Sequence, residues 1–191
     1  MVHTVSDPAL TFTVSARILA SNARHVGRLH PGLRGLADAF LARALTCGIP
    51  LAITQSDRTD AYQRGLFAKG RTLPGPHAGE PGYPTLGITI TNAPSAASSA
   101  HGRGGAFDVA VLIDGCLVGP RPGPGNDSYD RDLMIDGVLV WPLLVEIAES
   151  IGLVAGGRFK PIGPDGLGWD LGHFELREWR HLPFPIEYAV A

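Results

Sequence analysis

The chain has 191 residues, of which 45% are hydrophobic and 18% charged, with a formal net charge of −2. That is enough chain to bury a hydrophobic core without disulfides, so a single domain over 1–191 is expected. Disorder is excluded, and no Lys/Arg run is long enough to follow a phosphate backbone, so nucleic acid is not an expected partner. Residues 1–25 have an irregular pattern and read as an edge strand or N-terminal arm. From Pro31 the apolar positions Leu33, Leu36, Ala37, Phe40, Leu41, Ala44 and Leu45 have helical spacing, closed by Gly48-Ile49-Pro50. A short buried strand follows over Pro50–Thr54, then a helix over Ala61–Lys69 capped by Thr59 or Asp60. Residues 73–84 (LPGPHAGEPGYP) form a surface loop, and Gly87–Thr91 reads as a strand. Ala106–Ile113 is a longer strand, turned by Asp114-Gly115 into an antiparallel return at Cys116–Val118. A loop covers Gly119–Asp132, and a helix runs from about Pro142 to Ile151, burying Leu143, Ile147 and Ile151. The last strands fall near Gly168–Asp170 and His173–Leu176. The class is α+β, with a mainly antiparallel sheet and flanking helices.

Cys47 and Cys116 sit singly among apolar neighbours and read as buried structural thiols. The N-terminus lacks a basic segment followed by a continuous apolar one, so no secretory signal is expected and the protein is placed in the cytoplasm at synthesis. No stretch approaches the ~20 apolar residues needed to cross a bilayer, so membrane insertion is not expected.

Two segments carry chemistry: Ser99-Ala100-His101-Gly102-Arg103-Gly104-Gly105-Ala106-Phe107-Asp108 and Trp169-Asp170-Leu171-Gly172-His173-Phe174-Glu175. A tight turn at Gly102–Gly105 would carry His101 back over the strand that holds Asp108. His173 is the other histidine set in strand beside acidic residues. Two imidazoles and one carboxylate suit Zn²⁺ with a fourth position open for water, the layout of a catalytic site. Asp170, three residues before His173, is near enough to act as the general base without ligating the metal. His3, His25, His30, His77 and His181 lack such surroundings and read as surface or core residues. Asn126–Asp132 places carboxylates at loop spacing without completing a calcium-loop pattern, so Ca²⁺ is a second-choice ion there.

Taken together, S-x-H-x-x-G-x-A-x-D and D-x-x-H-F-E resemble the signature of the LAS zinc metallopeptidases, in the branch of D-alanyl-D-alanine carboxypeptidases and phage L-alanyl-D-glutamate endolysins. Arg58-Thr59, Gln63 and Leu66–Thr72 resemble that branch's upstream segment, and Ile151-Gly152-Leu153 with Gly156–Phe159 its downstream one. The similarity spans about residues 30–177. It implies a LAS (hedgehog/D-Ala-D-Ala peptidase-like) fold, zinc on His101, Asp108 and His173, and Asp170 as base. It also implies that Arg58 lies in the cleft, to stabilise an oxyanion or clamp a carboxylate. Ser99 is expected to orient the His101 loop or touch substrate. Gln63 is the second candidate substrate contact, though a structural or rim position suits it and Arg71 better. Glu175 and His181 are candidate groups behind the ligands, His181 the more exposed. The chain departs from the pattern at the 119–132 loop and at Phe159, where a Trp is expected.

Asp at the base position followed by His-Phe resembles the L-alanyl-D-glutamate endolysins. This implies a monomeric, single-domain bacteriolytic enzyme without a wall-binding module. It would act on the bacterial peptidoglycan stem peptide after another protein has permeabilised the membrane. Two alternatives within the family are a D-Ala-D-Ala carboxypeptidase or dipeptidase and a zinc-retaining, non-catalytic wall-binding module. A non-haem Fe(II) oxygenase is disfavoured, because six residues separate His101 from Asp108 where one is usual.

Overall fold

In the computed structural model, which describes residues 14–120 and 128–184, one strand organises everything else. This is β2, Ala106–Ile113, whose alternating side chains point to two different worlds. Phe107, Val109 and Val111 enter the hydrophobic core, whereas Asp108 between them faces the other side. Strand β1 (Leu51–Gln55) pairs antiparallel with β2 along one edge, from Leu51 opposite Val111 to Gln55 opposite Asp108. Two strands share the other edge. β3 (Cys116–Gly119) pairs with residues 111–113 and β8 (His173–Glu175) with residues 106–108, both antiparallel. The short β7 (Val154–Ala155) extends the sheet beyond β8, and β4 (Ser128–Tyr129) runs parallel to β3. Met134–Ile135 (β5) and Val138–Leu139 (β6) form a separate hairpin.

Four helices complete the α+β architecture: α1 (Ala16–Gly27), α2 (Pro31–Thr46), α3 (Asp60–Ala68) and α4 (Val140–Ser150). The core joins α2 and α4 to the Phe107/Phe174 face of the sheet. Phe40 of α2 lies 4.4 Å from Phe174 and 5.9 Å from Phe107, ring centre to ring centre. From α4, Val140, Trp141, Leu144, Val145 and Ala148 are fully or almost fully buried, and the Trp141 indole donates to the Asp130 carbonyl at 2.8 Å. Among the described residues no helix is long and apolar enough to cross a membrane.

Several expectations need correction. Of the edge strand or arm expected over 1–25, residues 1–13 lie outside the described residues and 16–25 belong to α1 instead; Ser15 caps it, accepting from the Ile18 N–H. The inward stripe of this helix is broken by a polar residue, Asn22. Its buried amide donates to Leu51 O (3.0 Å) and accepts from Ile53 N (2.9 Å), standing in for a strand at the open edge of β1. Gly87–Thr91 is not a strand. Ile88 N donates to Pro76 O, and Thr91 O accepts from the Arg71 guanidinium, so loop and side chains claim the groups a ladder would use. Gly168–Asp170 is likewise irregular, while α4 begins two residues early, with Pro142 in its first turn. Cys47 and Cys116 are exposed, because one ends α2 and the other follows the Asp114-Gly115 turn at the start of β3.

Candidate metal centre and catalytic cleft

Register places the site. Across the sheet, Asp108 lies directly opposite Gln55 on one side and His173 on the other, so three polar side chains stand in a row on the face away from the core. His101 reaches them from above β2. Residues His101–Arg103 form a 3-10 turn, Gly104 takes a left-handed conformation (φ 63°), and Gly105 N returns to Ala100 O at 2.9 Å. Gly102 is required for a different reason. A Cβ there would lie 2.1 Å from the Ala96 carbonyl oxygen. Ser99 is buried beneath this loop, and its hydroxyl accepts weakly from Gly102 N at 3.5 Å.

The result is a tight triangle. His101 Nε2 lies 3.2 Å from Asp108 Oδ1 and 3.1 Å from His173 Nδ1, and His173 Nδ1 lies 2.9 Å from Asp108 Oδ1. Both imidazoles are buried. Behind His173, Glu175 Oε2 sits 3.1 Å from Nε2. An ionised carboxylate only accepts, so it holds the proton on Nε2 and turns the Nδ1 lone pair of the neutral ring towards Asp108. His101 Nδ1 is buried without a hydrogen-bond partner among the described residues. Two imidazole nitrogens and a carboxylate oxygen converging in this way could hold a metal ion, and such a donor set suits a divalent cation with one position left open.

Electrostatics without an ion show the same tension. Burial opposes charge on His101 and keeps its pKa below the ordinary value despite Asp108. Burial pushes the Asp108 carboxyl upward, but His101 and His173 outweigh it and hold the group well below the usual carboxylate range. Burial also opposes charge on His173, yet hydrogen bonds to Asp108 and Glu175 prevail, and its pKa is pushed up to about 10.

Arg58 is in the cleft, with Nη2 3.5 Å from Asp108 Oδ2. Gln55 Oε1 accepts from its Nε at 2.7 Å and Gln63 Oε1 from its Nη1 at 3.3 Å. Gln63 is fully buried, and its amide also donates to Ala93 O (2.8 Å) and Thr91 Oγ1 (3.3 Å). Its side chain therefore positions Arg58 and has no surface to offer a substrate. Arg71 ties α3 to the same segment through Phe67 O and Thr91 O. Asp170 is not part of the triangle. Its carbonyl accepts from His173 N at 3.0 Å, and its charge adds to the field that favours protonated His173. His181 is exposed and pairs with Glu178. Of the proposed calcium loop, Asn126 and Asp127 lie outside the described residues, while Asp130 accepts from Asp132 N and Arg131 pairs with Asp165.

Two further groups bear on this site, and the first carried no sequence signal for it. Gln55 becomes visible only through its register with Asp108. Phe159, noted in the sequence as a substitution, places its ring 5.7 Å from that of His173 and 6.3 Å from Trp169.

No protein-family profile matches the chain. A curated relative, the peptidoglycan L-alanyl-D-glutamate endopeptidase CwlK of Bacillus subtilis, is 30% identical over 133 residues, which cover 69% of this chain and 67% of that protein. The chain belongs to the peptidoglycan L-alanyl-D-glutamate endopeptidase family. The fold agrees with this assignment. The crystal structure of the Serratia marcescens L-Ala D-Glu endopeptidase ChiX superposes with a TM-score of 0.50 at 18% identity, covering 82% of this chain and 86% of that one. In this endopeptidase family member, the His101–Asp108–His173 triangle is the group of three donors, among the described residues, that could hold a metal ion.

Proposed function

We propose that this endopeptidase hydrolyses the L-Ala–D-Glu bond of the peptidoglycan stem peptide, with one zinc ion held by His101 Nε2, Asp108 Oδ1 and His173 Nδ1. The observation that carries the reading is the convergence of those three atoms within 3.2 Å of one another, with Glu175 behind His173. When bound, the ion would polarise the scissile carbonyl and acidify the attacking water. Asp170, beside His173 at the edge of the site, takes the proton from that water and passes it to the leaving amine. Arg58, held by Gln55 and Gln63, supplies a fixed positive charge where the carbonyl oxygen becomes negative. Ser99 keeps the His101 loop in place and Gln63 acts through Arg58, not on the substrate.

The Asp170 and His173-Phe174 pattern supports a bacteriolytic, phage-type role, in which a separate protein opens the membrane. The decisive experiment is a mass-spectrometric digest of purified stem peptides by the zinc-loaded protein, with and without a chelator. Products split between L-Ala and D-Glu, abolished by the chelator, are expected. Release of D-Ala would instead make it a carboxypeptidase, and no product at all would leave a binding module.

A further inference from the structure

A cavity of about 530 Å³ lies between the 161–169 segment and Arg131-Asp132. Its walls include Pro161, Ile162, Pro164, Leu167 and Trp169. Trp169 is 42% exposed and Ile162 45%, and the two line the same cavity as a shared apolar surface. Trp169, which lines the cavity, directly precedes Asp170, and its ring neighbours that of Phe159, which in turn neighbours His173.

Charge decides which half of a stem-peptide substrate suits this space. On the glutamate side of the L-Ala–D-Glu bond the substrate carries carboxylates. The cavity offers Asp132 and Asp165 against Arg131, and Arg131 is already committed, with Nε 2.8 Å from Asp165 Oδ2 and Nη2 donating to Gly168 O at 3.0 Å. Among the described residues that line the cavity no surplus cation remains for an anionic partner, so that half is disfavoured. On the alanine side the substrate is neutral. There L-Ala is amide-linked through a lactyl group to an N-acetylated sugar, whose carboxyl is consumed by the linkage. A pyranose presents a face of C–H groups that suits an indole face and apolar walls. Reach also agrees: at ~3.5 Å per extended unit, L-Ala and the lactyl group cover about 7 Å from the reacting carbonyl. The two successive ring steps from His173 to Trp169, 5.7 and 6.3 Å, place the indole farther out than that span but no more than their sum, where the sugar that follows the lactyl group would lie.

We propose that this cavity is a saccharide subsite, holding the N-acetylmuramyl unit to which the stem peptide is attached, with Trp169 as its stacking platform. The proposal rests on the stem-peptide reading above. The enzyme would thus recognise its substrate by the glycan as well as by the peptide.

The test compares zinc-loaded wild type and Trp169→Ala on two substrates, a disaccharide-linked stem peptide and the same peptide with an N-acetyl group in place of the sugar. Wild type is expected to prefer the glycosylated substrate at least tenfold in kcat/KM, and Trp169→Ala to bring that ratio within about twofold of one. Ile162→Ser repeats the test should Trp169→Ala fold poorly. A wild type without preference, or variants that lose both substrates equally, would overturn the proposal. Calorimetric titration with the disaccharide-L-alanine product separates this from failure of the cleavage reading. If neither substrate is cut, tenfold weaker binding of that product by the variants still supports the subsite, and unchanged or absent binding removes it.

Discussion

At the scale of single residues, Glu175 and Asp170 make different predictions although both are acids within three positions of His173. Glu175 touches only the rear nitrogen of the ring, at 3.1 Å. Glu175→Gln should weaken zinc affinity about 10–100-fold, the usual cost of losing a carboxylate behind a ligating histidine, and competition titration with a coloured chelator measures it. Asp170→Asn should retain stoichiometric zinc by elemental analysis while kcat falls about 10²–10⁴-fold, the range for a lost general base. Substantial residual activity would take Asp170 out of that role. The His173 pKa of about 10 adds a pH dependence with a definite sign. Because that value is raised, protonated His173 stabilises the metal-free fold fully below pH 6.5, and the contribution is lost as pH rises through about 10. Zinc needs the Nδ1 lone pair, so within that window uptake must expel one proton; His101, with its lowered pKa, supplies none. Zinc affinity should therefore rise about tenfold per pH unit between pH 7 and 9. A flat profile would contradict a protonated His173 in the metal-free site.

At the scale of elements, the His101 turn shows what the sequence makes legible. The glycine-rich run announces a tight turn, and the structure supplies the reason residue by residue: close approach at Gly102, left-handed backbone at Gly104. Gly102→Ala forces the 96–102 loop apart at the Ala96 carbonyl. A loss of about 1–3 kcal/mol is expected, together with weaker zinc binding, read by thermal melts with and without the ion. By contrast, α1 was hidden because the residue it turns inward is Asn22, which serves backbone groups of β1. Alternation at 87–91 suggests a strand, yet Pro76 O and the Arg71 guanidinium take up the Ile88 N–H and the Thr91 carbonyl instead. The hairpin β5–β6 and strand β7 are two residues per strand, too short to give a period. Local chemistry is thus readable in this sequence, whereas functions that depend on a distant partner, as with Gln55 and Gln63, are not.

At the scale of the whole molecule, the core and the site occupy opposite faces of one sheet. Phe40, Phe107, Phe174 and Trp141 are fully buried without help from the three residues proposed to hold zinc. Chelation should therefore abolish hydrolysis while leaving the far-ultraviolet circular dichroism unchanged, and added zinc should restore activity. Unfolding on chelation would instead assign the ion a structural role.

The alternation of Phe107, Asp108 and Val109 along β2 limits how the lineage of this enzyme can change length. One residue gained or lost within Ala106–Ile113 would rotate the strand by a face, sending a carboxylate into the oil and a phenyl ring into the cleft at once. No compensating point mutation reverses that. Length variation among descendants should accumulate in connections such as 73–84, and the spacing from His101 to Ile113 should stay frozen.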